Sequence, residues 1–166
     1  MTKALVVYFS RTGEQYSVGN ITKGNTEIVA EMIADKTGGR LFEVKLKNDT
    51  YPAGYTPLTE VAKEEKKANA RPEIIGDVDD FDDYDTIFVG GPVWWSDLPM
   101  AVYTFIDKHN WSNKTVVPFA TSGTSDIGPS GENMQALAPK AKVLKGKRFP
   151  SGVSAEDLKK WATECL

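Results

Sequence analysis

Apolar residues recur along this chain in two rhythms, one continuous and one helical. Unbroken runs at residues 4–9, 86–90 and 115–120 carry no alternating polar face, which predicts strands buried on both sides and therefore a parallel sheet. Two weaker segments read as edge strands. Residues 40–46 mix Leu41, Phe42, Val44 and Leu46 with charges, and residues 142–149 hold Val143 and Leu144 as their only aliphatic pair. Between the strands, residues 26–36 set Ile28, Val29, Met32 and Ile33 three and four apart, forming one apolar stripe that predicts a helix on the sheet. A more polar helix is expected over 57–70, with Thr56 as N-cap, Pro57 at the first position and Arg71-Pro72 as its end. Short helices are expected over 99–108, from Val102, Phe105 and Ile106, and over 130–138, with Ser130 as its cap. The last helix is announced by Ser154-Ala155-Glu156-Asp157, followed by Leu158, Trp161, Ala162 and Leu166. Strand and helix thus alternate about five times, the pattern of an α/β, doubly wound sheet with right-handed crossovers.

Composition narrows the picture. At 166 residues and 40% apolar side chains, residues 1–166 are expected to fold as a single domain. Twenty basic residues against 23 acidic give a formal charge of −3, and no Lys/Arg cluster offers the footprint of nucleic-acid binding. No stretch approaches the roughly 20 apolar residues of a membrane span. Cys165 is the only cysteine, so no intrachain disulfide is possible and a cytoplasmic location is expected.

In a doubly wound sheet, ligands lie beyond the carboxyl ends of the strands, where strand order reverses. Three loops leave that edge. The first holds Ser10, Arg11, Thr12 and Gly13, runs through 14–23, and enters a helix at Gly24, Asn25 and Thr26. Its hydroxyls, amide and helix start suit a phosphate dianion. No G-x-x-x-x-G-K-[ST] and no G-x-G-x-x-G occurs there, so ATP and NAD cradles are disfavoured. The second loop reads Gly90, Gly91, Pro92, Val93, Trp94, Trp95, Ser96, Asp97. Two adjacent tryptophans cannot both enter one core layer, and such rings suit a flat heterocycle; the plainer alternative is that one covers the core end and the other lies on the surface. The third loop, with Thr121, Ser122, Gly123, Thr124, Ser125 and Asp126, offers backbone groups to the edge of a heterocycle.

Together, Tyr8 to Gly13, Gly24-Asn25-Thr26, Gly90 to Trp95, and Ala120 to Gly123 resemble the flavodoxin family in order and spacing, over nearly the whole chain. The resemblance implies a five-stranded parallel sheet of order 2-1-3-4-5 and non-covalent FMN. It places the phosphate near Ser10, Thr12, Asn25 and Thr26, and the ring against Pro92, Val93, Trp94, Trp95, Thr121, Ser122 and Gly123. Arg11 and Asp126 complete the cofactor-binding set as members of the same loops. The chain departs from the family where residues 14–23 separate Gly13 from Gly24-Asn25-Thr26. These residues are expected to fold outward, the alternative being that Tyr16 leans over the flavin. The third loop lacks the aromatic that many flavodoxins bring to the second flavin face, which leaves that face open to a substrate.

The expected function is electron transfer between redox partners, with a small FMN-dependent NAD(P)H:quinone or nitro reductase as the alternative and a monomer or weak dimer as the assembly. A phosphate-receiver module is disfavoured, because its aspartate would end the central strand where Gly90-Gly91-Pro92 stands. His109 is read as covering a helix end rather than as catalytic. The acidic run 77–85 is expected to oppose an anionic reduced flavin, and backbone at 91–93 to reorient toward the ring during reduction.

Overall fold

The structure, a computed structural model, describes residues 3–10, 13–15, 19–21, 24–48, 55–94, 97–122, 127–150 and 152–166. In chain order the elements are β1 (Ala4–Tyr8), β2 (Gly13–Gln15), β3 (Gly19–Ile21), α1 (Asn25–Thr37), β4 (Arg40–Glu43), β5 (Lys45–Leu46), α2 (Tyr55–Lys67) and β6 (Ile74–Ile75). There follow a 3-10 turn (Phe81–Asp83), β7 (Thr86–Pro92), α3 (Met100–Asp107), β8 (Thr115–Thr121), α4 (Ser130–Leu137), β9 (Lys142–Val143), β10 (Lys147–Phe149) and α5 (Ala155–Glu164).

The main sheet runs β4, β1, β7, β8, with β9 and β10 both on the outer edge of β8, and every pairing is parallel. Counting β9 and β10 as one position, this is the 2-1-3-4-5 order of the flavodoxin-like fold. Its two faces carry separate cores. Ala4, Val6, Tyr8, Phe88, Val117 and Phe119 meet Val29 and Ile33 of α1 and Leu158 and Ala162 of α5. Leu5, Val7, Ile87, Val89 and Val116 meet Val102, Phe105 and Ile106 of α3, which is buried at every position but its last. Alternation of a two-residue period thus sends each buried run to both layers, as a doubly covered sheet requires.

Several expected elements differ in their limits, for physical reasons. The predicted strand 40–46 is divided: Val44 N–H donates to Tyr8 O at 2.7 Å, where β1 ends, and Lys45–Leu46 then pairs antiparallel with Ile74–Ile75 in a separate small sheet. The predicted strand 142–149 is divided by Pro118. Lys142 and Leu144 N–H groups donate to Lys114 O and Val116 O, both at 2.8 Å, so even-numbered residues of β8 face the outer edge. Pro118 is among them and has no N–H to give, and the edge strand parts there. Gly146 crosses the gap, where a Cβ would stand 2.6 Å from Pro118 O.

Helix α2 begins at Tyr55 rather than 57, so Thr56 is not its cap and Pro57 is its third residue. That position costs no bond, because the first four helical N–H groups have no partner within the helix. The helix ends at Lys67 because Asn69 turns left-handed at φ 51°. Ser130 does not cap α4 either: Pro129 holds the cap position, and the Ser130 hydroxyl donates to Ile127 O at 2.9 Å. The capping start of α5 is present, with Asp157 N–H donating to Ser154 Oγ at 3.4 Å. Ser154→Ala is expected to lower unfolding free energy by about 0.5–1 kcal/mol, read as a shift in urea midpoint with unchanged slope. Among the described residues no helix is long and apolar enough to cross a membrane.

Candidate functional site

The carboxyl edge is formed where β1, β7 and β8 end, at Tyr8, Pro92 and Thr121. Because the strands are parallel and in register, with Tyr8 beside Gly90 and Pro92 beside Thr121, the loops that follow them emerge side by side. Hydrogen bonds then tie these loops together. Glu27 N–H, in the first turn of α1, donates to Ser10 Oγ at 3.2 Å. The hydroxyls of Thr26 and Thr121, both buried, are hydrogen-bonded at 2.7 Å, with either able to donate. Val93 N–H donates to Thr121 O at 3.0 Å. The three predicted loops therefore converge on one edge.

At the first loop, the N-cap of α1 is Gly24, which has no side-chain oxygen to accept from the helix's leading amides. These amides and the positive end of a 13-residue helix point out beside Ser10. Behind them the buried Tyr8 phenol is pushed up to about 12, first by burial and then by the nearby Glu43, Glu27 and Glu31 carboxylates, so it remains a neutral hydroxyl. The intervening segment is not a plain loop. Gly13–Gln15 and Gly19–Ile21 pair antiparallel as a hairpin with Glu14 beside Asn20, forming a sheet apart from the main one. Three-residue strands with two glycines leave too little alternation to be read from sequence. Arg11, Thr12 and Tyr16 lie outside the described residues.

At the second loop, Gly91 and Pro92 belong to β7, paired with Ala120 and Thr121. This corrects the expectation that backbone at Gly91 reorients, since the ladder holds it. Trp94 and Asp97 close a tight turn, with Trp94 N–H donating to Asp97 O at 2.6 Å and Asp97 N–H to Trp94 O at 3.2 Å. Trp94 is partly buried against the core, its ring edge-on to Phe9 at 5.4 Å between centroids. That is the role of covering the end of the core. Trp95 lies outside the described residues, as do Gly123 and Asp126 of the third loop, where Thr121 is buried and Ser122 half-buried.

Asp97 was passed over in the sequence, and the structure buries it at 2% exposure. Its Oδ1 accepts from Leu98 N–H at 2.8 Å and from the Tyr103 hydroxyl, and its Oδ2 accepts from Asn133 Nδ2 at 2.8 Å. Burial, then the Asp97 contact, raises the Tyr103 phenol well above its ordinary value, so it stays protonated and donates. No local pattern could announce this cluster, because Asn133 is 36 residues away.

The acidic run 77–85 sits at the opposite edge, before the start of β7, where two of its six aspartates pair with cations and a third meets the His109 ring. Asp80 meets Arg40 at 2.6 Å, Asp77 meets His109 at 2.6 Å, and Asp83 meets Lys3 at 3.9 Å. A seven-residue strand is about 23 Å long, beyond a Debye length of about 8–10 Å, so this run is too far to act on the carboxyl edge. His109 covers the helix end as expected, stacked on Phe81 at 4.1 Å.

Among curated proteins none matches the chain. Solved structures do. A proposed flavoprotein of Bacteroides eggerthii is 29% identical, with a TM-score of 0.79 over 99% of this chain and 98% of its own. One from Bacteroides uniformis is 30% identical, with a TM-score of 0.78 over 98% of each chain. A flavoprotein of Lactobacillus acidophilus, solved in complex with FMN, is 25% identical, with a TM-score of 0.73 over 98% of this chain and 99% of its own. The flavodoxin family model matches residues 3–165, and the chain belongs to the flavodoxin family.

Proposed function

We propose that the protein binds one FMN at the carboxyl edge and carries electrons between redox partners. The observation that carries this reading is the convergence of three loops tied by the Ser10–Glu27, Thr26–Thr121 and Val93–Thr121 hydrogen bonds. Membership of the flavodoxin family and the FMN bound by the Lactobacillus acidophilus relative support the same cofactor here. The residues present fit it: a helix start whose cap is Gly24 suits a phosphate dianion, and a partly buried tryptophan turn beside Ser122 suits an apolar ring with one polar edge. Bound FMN would supply one- and two-electron redox chemistry, leaving the protein to orient it and set its potentials.

In this reading Ser10, Arg11, Thr12, Asn25 and Thr26 hold the phosphate end. Pro92, Val93, Trp94, Trp95, Thr121, Ser122, Gly123 and Asp126 flank the ring. Because Thr26 and Thr121 hydroxyls are bonded to each other, one hydroxyl proton remains to reach the cofactor, and the pair links the phosphate end to the ring end. Trp94 is committed to Phe9 and the core, which makes Trp95 the better partner for the ring. The partners in this reading are redox proteins or small electron acceptors, the location cytoplasmic and the assembly a monomer or weak dimer.

The purified protein is expected to be yellow, to release one FMN per chain on heating, and to take up electrons in two resolved one-electron steps. Negligible turnover of NAD(P)H with a quinone is expected; brisk turnover would move the assignment to a reductase. Colourless protein that takes up no added FMN would contradict the reading altogether.

A further inference from the structure

The turn that carries both loop tryptophans ends in a buried acid, and that acid reaches across the fold. Asp97 is anchored to the start of α3 through Leu98 N–H and the Tyr103 hydroxyl, and to α4 through Asn133. Helix α4 is the element that follows the third loop. One side chain therefore joins the loop on one side of the ring site to the helix that ends the loop on the other side.

Its donors among the described residues are neutral or backbone groups, an acceptor-only arrangement that a carboxylate satisfies. The nearby Arg71 guanidinium lies 5.7 Å from the Tyr103 ring centre and is itself paired with Asp107 at 2.7 Å. The carboxylate is thus fixed in position, buried at 2% exposure beside a surface cavity it shares with Lys66 and Arg71, and in a loop at the carboxyl edge, unlike the acids of 77–85.

Resting on the FMN reading above, we propose that Asp97 is the positioning residue for the flavin ring. It sets the spacing of the two ring-flanking loops through Tyr103 and Asn133 and makes reduction harder through its buried charge. Each function has its own signature. Loss of an anchoring donor loosens the ring site, whereas loss of the charge changes the potential of a ring that is still held.

The test uses FMN-loaded protein and the variants Asp97→Asn, Tyr103→Phe and Asn133→Ala, with FMN and riboflavin affinities measured and dithionite as electron donor in a redox titration. Tyr103→Phe and Asn133→Ala are expected to weaken FMN and riboflavin alike, about tenfold, because the ring site and not the phosphate site is loosened. Asp97→Asn is expected to favour addition of the second electron about tenfold, an upward shift of about 59 mV for a one-electron couple. A purely structural role would lower stability and leave both readouts unmoved in the folded fraction. Unchanged potential in Asp97→Asn overturns the charge function. Should that variant not fold, unchanged affinities in folded Tyr103→Phe and Asn133→Ala overturn the proposal on their own. Wild-type protein that binds no FMN overturns the parent reading as well, whereas normal wild-type binding with unmoved variants overturns only this one.

Discussion

Gly90→Ala is expected to lower the unfolding free energy by about 2–3 kcal/mol, the upper part of the range for inserting atoms into a packed core. A Cβ at this position would stand 2.5 Å from Cδ2 and Cε2 of Phe119, the residue beside it in the β7–β8 register. Phe119 cannot swing aside, since it is fully buried in a cluster with Tyr8, Phe88, Val117 and Phe149. Such a loss is a large share of a stability of order 5–15 kcal/mol. It also sits two residues before Pro92, so the second loop would start from a displaced strand. Urea unfolding with unchanged slope gives the measurement. Phe119→Ala alone is expected to cost about 3–5 kcal/mol through the cavity it leaves. The double variant is expected to be less damaging than the sum of the two, because the space one creates accommodates the other. Additive losses would mean that the close approach of Gly90 and Phe119 is not the reason for glycine. Gly91 makes the useful contrast, because its Cβ would first meet Pro99 Cδ at 3.2 Å, a far smaller conflict.

Riboflavin is expected to bind about ten- to a hundredfold more weakly than FMN, the loss of charge-assisted hydrogen bonds and of the dipole's attraction at a helix start. The start of α1 supplies that attraction. Its N-cap is Gly24, and Ser10 Oγ already accepts from Glu27 N–H, so among the described residues the leading amides ahead of Glu27 are the ones left for an anion. The difference should shrink as salt rises, because part of it is screened charge. Ser10→Ala is expected to weaken FMN by several-fold while leaving riboflavin nearly unchanged, since the serine acts at the phosphate end only. Isothermal titration of apoprotein with each flavin decides the matter. Equal affinities would detach the phosphate from α1 and with it the assignment of Ser10, Asn25 and Thr26. Beside Tyr103→Phe and Asn133→Ala, which are expected to affect both flavins alike, this separates the two ends of the site.

The central strands, the helices between them and the edge that carries the loops were legible in the residues because each depends on short-range pattern, whereas the 2-1-3-4-5 order was implied only by the resemblance of the loop motifs to a family. Buried runs such as 4–9 and 86–90 have no polar face, so they specify a covered parallel strand wherever they lie. Segments that misled were those whose limits depend on a neighbour. The edge strand 142–149 is interrupted by a proline in the adjacent strand, and 40–46 is divided because β1 ends at Tyr8. The hairpin within 14–23 depends on pairing too short to leave a periodic mark.

Charge taught the same lesson more sharply. The densest acidic run in the chain lies at the sheet edge remote from the candidate site, where it contacts Arg40, His109 and Lys3. A single aspartate with no acidic neighbour, Asp97, is the one buried at the proper edge. Sequence alone determined the three buried runs that form the central strands, that the sheet is parallel and covered, and which three loops share an edge, since backbone periodicity and burial are local properties. Only the tertiary structure decided which of Trp94's faces is taken by Phe9, that Thr26 meets Thr121, and that Asp97 meets Tyr103 and Asn133. Those contacts join residues 6 to 95 positions apart, brought together by strand register and helix packing, which no local pattern encodes.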